Sequence, residues 1–343
     1  MLELADRLTE WKRQDRRFAV ATVVSVSGSA PRPVGSALAV DSAGEVLGTV
    51  SGGCVEGAVY ELCREALTTG ESSVHRFGWS DESAFAVGLT CGGEIEVFVD
   101  PEPDVPAPAD RVVVARVLSG RSATLTARDG EIAGTLGDPA LDELALAAPA
   151  TGVVRWIGCA TGEPVEALVE VSAPAPRLLI FGALDFAAAL SEVGAFLGYR
   201  VTVCDPRPVF ATAARFPAAE VVVDWPHRYL EQTGTDERTA VCVLTHDPKF
   251  DIPVLTRALR MPLAYVGAMG SRRTHAERVQ LLTEAGLTAA ELGRLRSPLG
   301  LDLGARTPAE TALSIAAEMV AVRGGGSGVP LGGLSGPIHR SAA

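Results

Sequence analysis

One cysteine of this chain directly follows a pair of glycines and is the first candidate for chemistry. Cys54 comes after Gly52 and Gly53, and the apolar spacing of Val55 and Val59 predicts a helix that begins near the cysteine. Glycines let the backbone approach a ligand closely, and the free N–H groups at a helix start favour an anion. The same field lowers the pKa of a thiol and raises its reactivity. The segment therefore predicts a site for a ligand that carries phosphate and sulfur; the alternative is a small buried hydrophobe, which free cysteines commonly are.

A second cysteine stands in the mirror arrangement. Cys91 directly precedes Gly92 and Gly93, and the strand-like residues 94–99 follow. These glycines either bring the backbone close to a ligand or only shape a turn. The remaining cysteines lie in apolar periodic runs and are predicted to be buried: Cys63, Cys159, Cys204 and Cys242.

The cysteines and histidines are not spaced like metal ligands or disulfide partners. The six cysteines form no C-x-x-C pair, and the five histidines do not stand at zinc-site spacing beside them. We therefore expect neither a disulfide framework nor a metal site.

The elements that would carry the first candidate belong to a duplicated unit. Residues 36–50 (SALAVDSAGEVLGTV) and 122–136 (SATLTARDGEIAGTL) match at a constant offset. Each copy alternates apolar and polar residues, turns at a glycine and alternates again, which predicts a β-hairpin. We predict a β-rich α+β domain over residues 1–172, with copies at about 15–100 and 109–172 and a proline-rich connector at 101–108. Only the first copy continues into a glycine pair and a thiol, so we expect one copy to carry the site.

From residue 177 onward, short apolar runs alternate with amphipathic helices. This alternation predicts a C-terminal Rossmann-like domain over residues 177–322, with a doubly wound parallel sheet, and makes the whole chain an α/β protein. The last helix is predicted to have Thr307 as N-cap, Pro308 as its first residue and an end near Val322. The glycine-rich residues 324–343 are predicted to be disordered. The predicted strands are residues 178–181, 201–204, 221–223, 240–244 and 263–266.

The first βα unit of this domain carries an altered dinucleotide fingerprint. The G-x-G-x-x-G/A positions hold Gly182, Leu184 and Ala187. Asp205 closes the second strand, where an acidic residue can bind a ribose. Leu184 puts a bulky side chain where the backbone should approach a pyrophosphate, and Asp185 adds negative charge beside it. Gly182 and Asp205 stay candidates for ligand contact, but binding of NAD(P) at the usual place is disfavoured.

Two further loops follow predicted strands at their carboxyl ends, where open α/β sheets bind ligands. One contains a histidine beside an aspartate, a pair compatible with ligand contact and with a structural role. The other begins a helix with a glycine, a serine and two arginines, which suits a phosphate and also fits a solvated helix turn. These candidates are His246, Asp247, Gly270, Ser271, Arg272 and Arg273.

Composition argues against several classes of function. A formal net charge of -12 in 343 residues disfavours a nucleic-acid-binding surface. The first residues show no basic region followed by an apolar one, and every apolar stretch is interrupted before about 18 residues. We therefore expect no secretory signal, no membrane span and a cytoplasmic protein.

Together these motifs resemble the XdhC/CoxI family of molybdenum-cofactor accessory proteins, which mature xanthine dehydrogenase and CO dehydrogenase. The similar segments span most of residues 15–322 and include both glycine-flanked cysteines. They are GTVSGGCVEGAV (48–59), LTCGGEIEVFV (89–99), RLLIFGA (177–183), LTHDPKFDIPVL (244–255), VGAMGSRR (266–273) and PLGLDLGARTPAETALSIAAEMVA (298–321).

The resemblance implies an accessory factor rather than a dehydrogenase. It implies that the protein binds the molybdenum cofactor in its molybdopterin form, supports exchange of an oxo for a sulfido ligand, and delivers the cofactor to a xanthine dehydrogenase-like enzyme. The implied partners are an apo molybdenum hydroxylase or dehydrogenase and a cysteine desulfurase. The implied cofactor contacts are the two glycine-flanked cysteine segments, with Cys54 as a thiolate ligand or sulfur contact. We also expect a homodimer, because the edges of the β units need partners.

Two other functions stay open at this point. Proteins of the family usually have a second glycine and often a histidine where this chain has Leu184 and Asp185, so whether this loop binds a nucleotide stays open. A nicotinamide-dependent oxidoreductase is supported by the fold and Asp205, but the chain shows no Tyr-x-x-x-Lys or similar hydride-transfer set. In a non-catalytic interaction protein, the Gly-Gly-Cys segment would only shape a turn.

Overall fold

The computed structural model describes residues 1–28, 32–78, 93–101, 103–107, 109, 111–118, 123–157 and 164–335. Two compact units are formed, Met1–Pro174 and Ala175–Leu334. Cys91, Gly92 and Cys159 lie outside the described residues, as do the last eight residues of the glycine-rich tail. The described part of that tail contains a 3-10 turn at Leu331–Gly333.

The first unit begins with helix α1 (Ala5–Arg13), which precedes two similar sets of elements. The first set contains β1 (Phe18–Ser27), β2 (Ala37–Asp41), β3 (Val46–Gly48), α2 (Glu56–Thr69), β4 (Ser73–Phe77) and β5 (Glu94–Pro101). The second set contains β6 (Val112–Val117), β7 (Thr124–Arg128), β8 (Glu131–Gly134), α3 (Pro139–Leu146), β9 (Gly152–Ile157) and β10 (Pro164–Ser172).

The two sets form two five-stranded antiparallel sheets with one topology. Their strand orders are β3-β2-β1-β5-β4 and β8-β7-β6-β10-β9. The predicted hairpins are the β2–β3 and β7–β8 pairs, and in both sets a helix follows the hairpin. The predicted duplication is therefore confirmed.

The central strand of the first sheet is buried on both faces, which explains its almost continuous apolar sequence. On one face Ala21 packs in a cluster with Val59 of α2. On the other face Val20 packs with Trp11 of α1 and with Val114 of β6. The two copies thus share a core, and α2 covers the outer face of the first sheet.

The second unit is a doubly wound α/β domain. Its elements are β11 (Arg177–Phe181), α4 (Asp185–Phe196), β12 (Arg200–Cys204), β13 (Glu220–Val222), α5 (Pro226–Gln232), β14 (Ala240–Val243), α6 (Pro248–Ala258), β15 (Tyr265–Ala268), α7 (Arg272–Glu284), α8 (Ala289–Leu292), β16 (Leu295–Arg296) and α9 (Pro308–Gly324). All its strand pairs are parallel, and the order is β13-β12-β11-β14-β15-β16. Within the domain this is 3-2-1-4-5-6, the order of the dinucleotide-binding fold. The predicted Rossmann-like architecture is confirmed.

Alternate residues of the central strand β11 enter two separate cores. Leu178 and Ile180 pack with residues of α4 and α9, whereas Leu179 and Phe181 pack with residues of α6 and α7. Helices therefore cover both faces of the sheet, as a parallel sheet requires. No helix in the described ranges combines the length and apolar character needed to cross a bilayer.

Several element boundaries differ from the sequence-based expectation. The strand predicted at residues 263–266 lies at Tyr265–Ala268, because Leu263 belongs to a turn that packs into the core beneath α6. The two-residue strand β16 was not predicted, since so short a strand has no measurable periodicity. The last helix begins as predicted, with Thr307 as N-cap in a capping box.

Candidate functional site

The turn that carries Cys54 connects β3 to α2. Gly52 and Gly53 have φ angles of +78° and +125°, which favour glycine, and nothing lies within 4 Å of a Cβ placed on either residue. Both glycines are exposed, and Cys54 is half-buried against the core under α2. The Cys54 amide donates to the Ser51 hydroxyl at 3.0 Å. The turn therefore combines two exposed glycines, each with open space where a side chain would start, and a cysteine that is half-buried.

The backbone N–H groups of this turn already hold a carboxylate. Glu56, the first residue of α2, accepts hydrogen bonds from the amides of Ser51 at 2.8 Å, Gly52 at 3.0 Å and Gly53 at 2.8 Å. The hydroxyls of Thr49 and Ser51 donate to the same carboxylate. Burial raises the pKa of Glu56, but these donors outweigh burial and lower it to about 2. The expectation that these N–H groups are free for a ligand is wrong, whereas ligand contact with the glycines themselves stays a prediction.

The second copy repeats this arrangement without the thiol. Asp142, which matches Glu56 in the duplication, accepts from the Leu136 amide at 2.7 Å and from the Thr135 hydroxyl at 2.7 Å. A carboxylate therefore closes the hairpin-to-helix turn in both copies and belongs to the shared fold. What distinguishes the first copy is the open glycine pair and Cys54.

Only one residue of the mirror segment lies within the described ranges. Gly93 is buried immediately before β5, and the predicted strand at residues 94–99 is confirmed within Glu94–Pro101. Cys91 and Gly92 lie outside the described residues, so their predicted contact with a cofactor stays a prediction.

In the second unit the predicted loops lie at one edge of the parallel sheet. The first loop residue after a strand continues the ladder by bonding the last residue of the neighbouring strand: Gly182 N–H donates to Cys204 C=O at 2.9 Å, and Met269 N–H donates to Val243 C=O at 2.9 Å. The loops after β11, β12, β14 and β15 are thereby brought together. These loops and the start of α7 contain Gly182, Asp205, His246, Asp247, Gly270, Ser271, Arg272 and Arg273.

The start of α4 differs from a pyrophosphate-binding helix start. Leu184 is its N-cap, is 40% exposed and provides no capping side chain. Asp185 in the first turn pairs with Arg215 at 3.0 Å. A Cβ on Gly182 would lie 2.9 Å from the Thr245 methyl group, so packing between two loops explains this glycine without a ligand. An apolar side chain and a carboxylate thus occupy the place where a dinucleotide phosphate would lie.

Asp205 is fully buried and already has its hydrogen-bond partners. One carboxylate oxygen accepts from the Ala183 amide at 2.9 Å and from Arg207 Nη2 at 2.7 Å. The other accepts from the Arg207 amide and Nε, both at 2.9 Å. Burial raises the pKa of Asp205, but the hydrogen bonds from Arg207 and Ala183 outweigh burial, so the pKa lies below its ordinary value. A carboxylate offers about four acceptor positions, so none is left for a ribose hydroxyl.

Asp247 is a helix cap, whereas His246 beside it is exposed. The Asp247 side chain accepts from the Lys249 amide at 3.1 Å at the start of α6 and pairs with Lys249 Nζ at 2.8 Å. The hydrogen bonds from Lys249 lower the pKa of Asp247. Asp247 is therefore accounted for by the fold, and His246 is the member of this pair that is open to a ligand.

A buried ion pair, which we call the clasp, was not predicted. Arg278 of α7 lies 2.9 Å from Asp251 of α6, and their side chains are only 3% and 5% exposed. Asp251 also accepts from the Thr245 hydroxyl, after β14. Arg278 also donates to the Met269 carbonyl at 2.8 Å, after β15, and to the Ser297 hydroxyl at 3.0 Å, after β16.

Of the helices that follow β11, β14 and β15, only α7 has no acidic residue in its first turn. α4 has Asp185 and α6 has Asp251 there. α7 begins instead with Ser271 as N-cap, accepting from the Thr274 amide at 3.1 Å, and continues with the exposed residues Arg272 and Arg273. Arg273 pairs with Glu277 of the next turn at 2.9 Å, so the positive dipole end of α7 is reinforced mainly by Arg272.

Comparison with known proteins identifies the family. A sequence model of the XdhC Rossmann domain matches residues 178–319, and one of the XdhC and CoxI family matches residues 11–78. The molybdenum cofactor insertion chaperone PaoD of Escherichia coli (strain K12) is 30% identical over 327 residues, covering 92% of this chain and 90% of PaoD. The chain belongs to the XdhC and CoxI family.

Other relatives agree with this assignment. A protein of Bacillus subtilis (strain 168) described as a probable xanthine dehydrogenase component is 26% identical over 324 residues, which cover 90% of this chain and 94% of that protein. A crystal structure described as a xanthine dehydrogenase from Bacillus halodurans shares the fold, with a TM-score of 0.70 and 23% identity over 94% of this chain and 95% of that one. The matched ranges of the XdhC and CoxI models include the Cys54 turn and all the strand-end loops.

Proposed function

We propose that this member of the XdhC and CoxI family binds the molybdenum cofactor and inserts it into a dehydrogenase of the xanthine dehydrogenase type. The observation that carries the proposal is the similarity to a molybdenum cofactor insertion chaperone over 92% of the chain. The cofactor is the cargo in this proposal, and the chain's own residues bind and orient it.

The start of α7 fits the anionic part of such a cargo. Molybdopterin carries a phosphate, and helix starts with free N–H groups and arginines favour phosphate. Ser271, Arg272 and Arg273 supply this arrangement, and the first turn of α7 has no acidic residue. Glu277 of the next turn pairs with Arg273 at 2.9 Å, so a phosphate would share that arginine with Glu277. We place the phosphate here, with Gly270 in the turn that precedes α7 and the exposed His246 on the neighbouring loop.

The same sheet edge does not fit NAD(P), although its strand order is that of a dinucleotide-binding domain. Leu184 and Asp185 occupy the place of the pyrophosphate, and Asp205 has no acceptor position left for a ribose. Hydride transfer from a nicotinamide therefore has no support in the described residues.

Cys54 fits a role in the sulfur chemistry of the cargo. Cys54 is half-buried and directly follows two exposed glycines, and the equivalent turn of the second copy has no cysteine. We propose that Cys54 contacts the cofactor as a thiolate ligand or sulfur contact, with Gly52, Gly53 and the Cys91–Gly92–Gly93 segment as further contacts. The proposed partners are a cysteine desulfurase, the apo-dehydrogenase and a second copy of this chain.

A transfer assay tests insertion and the role of Cys54 together. Protein purified from a cofactor-producing host is mixed with apo xanthine dehydrogenase, and the activity gained is measured for wild type, Cys54→Ala and the control Thr69→Ala at the other end of α2. We expect the wild type and the control to activate equally and Cys54→Ala to activate at least tenfold less. Equal activation by Cys54→Ala would remove Cys54 from the mechanism, and no activation by the wild type would contradict insertion itself.

A further inference from the structure

The clasp is not explained by stability alone. Bringing a carboxylate and a guanidinium out of water is costly, and apolar residues of similar volume often replace a buried ion pair without loss of stability. Asp251 and Arg278 are nevertheless almost fully buried between α6 and α7. A pair of apolar side chains could join these two helices, but it could not hydrogen-bond a loop.

The other bonds of the clasp all reach strand-end loops rather than helices. Thr245 immediately precedes His246, and Met269 immediately precedes Gly270. Arg278 binds the Met269 carbonyl and Asp251 binds the Thr245 hydroxyl. The relative position of the exposed histidine and the α7 start is therefore fixed by two side chains that lie beneath them.

The clasp also supports the α7 start from below. A Cβ on Gly270 would lie 3.5 Å from Arg278 Nη1, so the guanidinium is in contact distance of this turn. The same guanidinium holds Ser297, which brings the loop after β16 against the loop after β15. One arginine thus connects two neighbouring loops and, through Asp251, a third.

We infer that Asp251 and Arg278 are positioning residues for the phosphate-bearing cargo: they hold the α7 start and the His246 loop in the arrangement that receives it. This inference rests on the proposed function for the identity of the cargo. Neither side chain touches the cargo, because both lie beneath the loops. Preorganised supporting residues of this kind set the precision of a binding site.

The test separates positioning from folding. The double variant Asp251→Leu/Arg278→Met removes the loop bonds but keeps a packed contact between α6 and α7. Ser297→Ala removes one loop bond, and Ser297→Thr restores the hydroxyl. The matched control is Glu231→Leu/Arg257→Met, an exposed ion pair between α5 and α6. For each protein we would measure the melting temperature, the pterin retained per monomer after gel filtration, and amide hydrogen exchange at residues 269–274 without cargo.

We expect the clasp variant to keep the wild-type melting temperature within a few degrees and to retain at least tenfold less pterin than the wild type. Its amide hydrogens should exchange faster at residues 269–274, whereas those of α9 should exchange at the wild-type rate. Ser297→Ala should show a smaller loss that Ser297→Thr reverses, and the surface control should match the wild type. Unchanged pterin and exchange in the clasp variant, or a pterin loss that only follows a fall in melting temperature, would overturn the inference. Absence of pterin in the wild type would instead contradict the proposed function, and the exchange measurement would still decide whether the clasp orders the loops.

Discussion

At the scale of single residues, the glycine pair before Cys54 serves the turn itself. Positive φ angles at Gly52 and Gly53 make successive N–H groups converge, a backbone arrangement that holds anions. The anion is supplied by the chain, as Glu56, and so an external phosphate finds these donors occupied. The proposed contacts of a ligand with this turn are therefore the exposed glycines and Cys54 rather than the backbone N–H groups.

The Glu56 carboxylate predicts a specific dependence of stability on pH. Its pKa is lowered from 4.5 to about 2 in the folded protein, so its stabilising effect is complete above about pH 4.5 and is lost as pH falls toward 2. Glu56→Gln should lower the free energy of unfolding by about 1–3 kcal/mol at neutral pH, because donors in the turn lose a charged acceptor. Below about pH 2 that difference should disappear.

Urea denaturation from pH 7 to pH 2 would measure this effect. Glu61→Gln, an exposed change on the same helix, is the control and should follow the wild type. A constant difference between wild type and Glu56→Gln across the whole pH range would contradict the assigned role of the carboxylate.

Residue contacts were harder to predict from the sequence than the segments that contain them. The sequence located the Cys54 turn and the loops at Asp205, His246 and Gly270, because glycine pairs and strand ends are local signals. It did not show that Glu56 fills the turn or that Arg207 saturates Asp205, although both partners lie within a few residues. It could not show the clasp, because Asp251 and Arg278 are brought together only by the packing of α6 on α7.

At the scale of elements, periodicity was sufficient for most of the fold. The β2–β3 and β7–β8 hairpins, the doubly wound parallel sheet of the second unit and the N-cap of α9 all follow from alternation, repeat offset and capping residues. The strand β16 was not predicted, because it has only two residues and is stabilised by pairing with β15. Arg294 just before it donates to the Leu259 and Leu263 carbonyls, contacts that no local pattern reveals.

The two copies of the first unit are joined by buried charges, which predicts a large effect of one substitution. Arg116 of β6 pairs with Glu170 of β10 and, at 3.2 Å, with Asp100 of β5 in the other sheet. Glu170 also binds the Met1 ammonium group. Arg116→Met should cost about 3–5 kcal/mol of unfolding free energy, because it leaves buried carboxylates without their cation.

Chemical denaturation would measure this cost against a surface pair in the same sheet. Arg155 and Glu166 pair across β9 and β10, with side chains that are 79% and 42% exposed. Arg155→Met should therefore cost less than about 1 kcal/mol. Similar losses for Arg116→Met and Arg155→Met would contradict the assigned importance of the buried pair.

At the scale of the whole molecule, the chain has a duplicated β-rich unit and a Rossmann-like unit with Leu184 and Asp185 at the start of its first helix. The first unit contributes a thiol in one copy only, and the second contributes a basic helix start at the carboxyl edge of a parallel sheet. Similarity to an insertion chaperone extends over both units. The central proposal is that this chain carries the molybdenum cofactor.

The most direct test is the molybdenum and pterin content per monomer after purification from a cofactor-producing host. The wild type is compared with Arg272→Ala/Arg273→Ala and with the control Arg200→Ala, an exposed arginine at the opposite edge of the same sheet. We predict near-stoichiometric pterin in the wild type and the control, and at least a tenfold loss in the double variant. Wild-type protein without pterin would contradict the claim that this chain carries the cofactor, and full retention in the double variant would contradict the placement of its phosphate at α7.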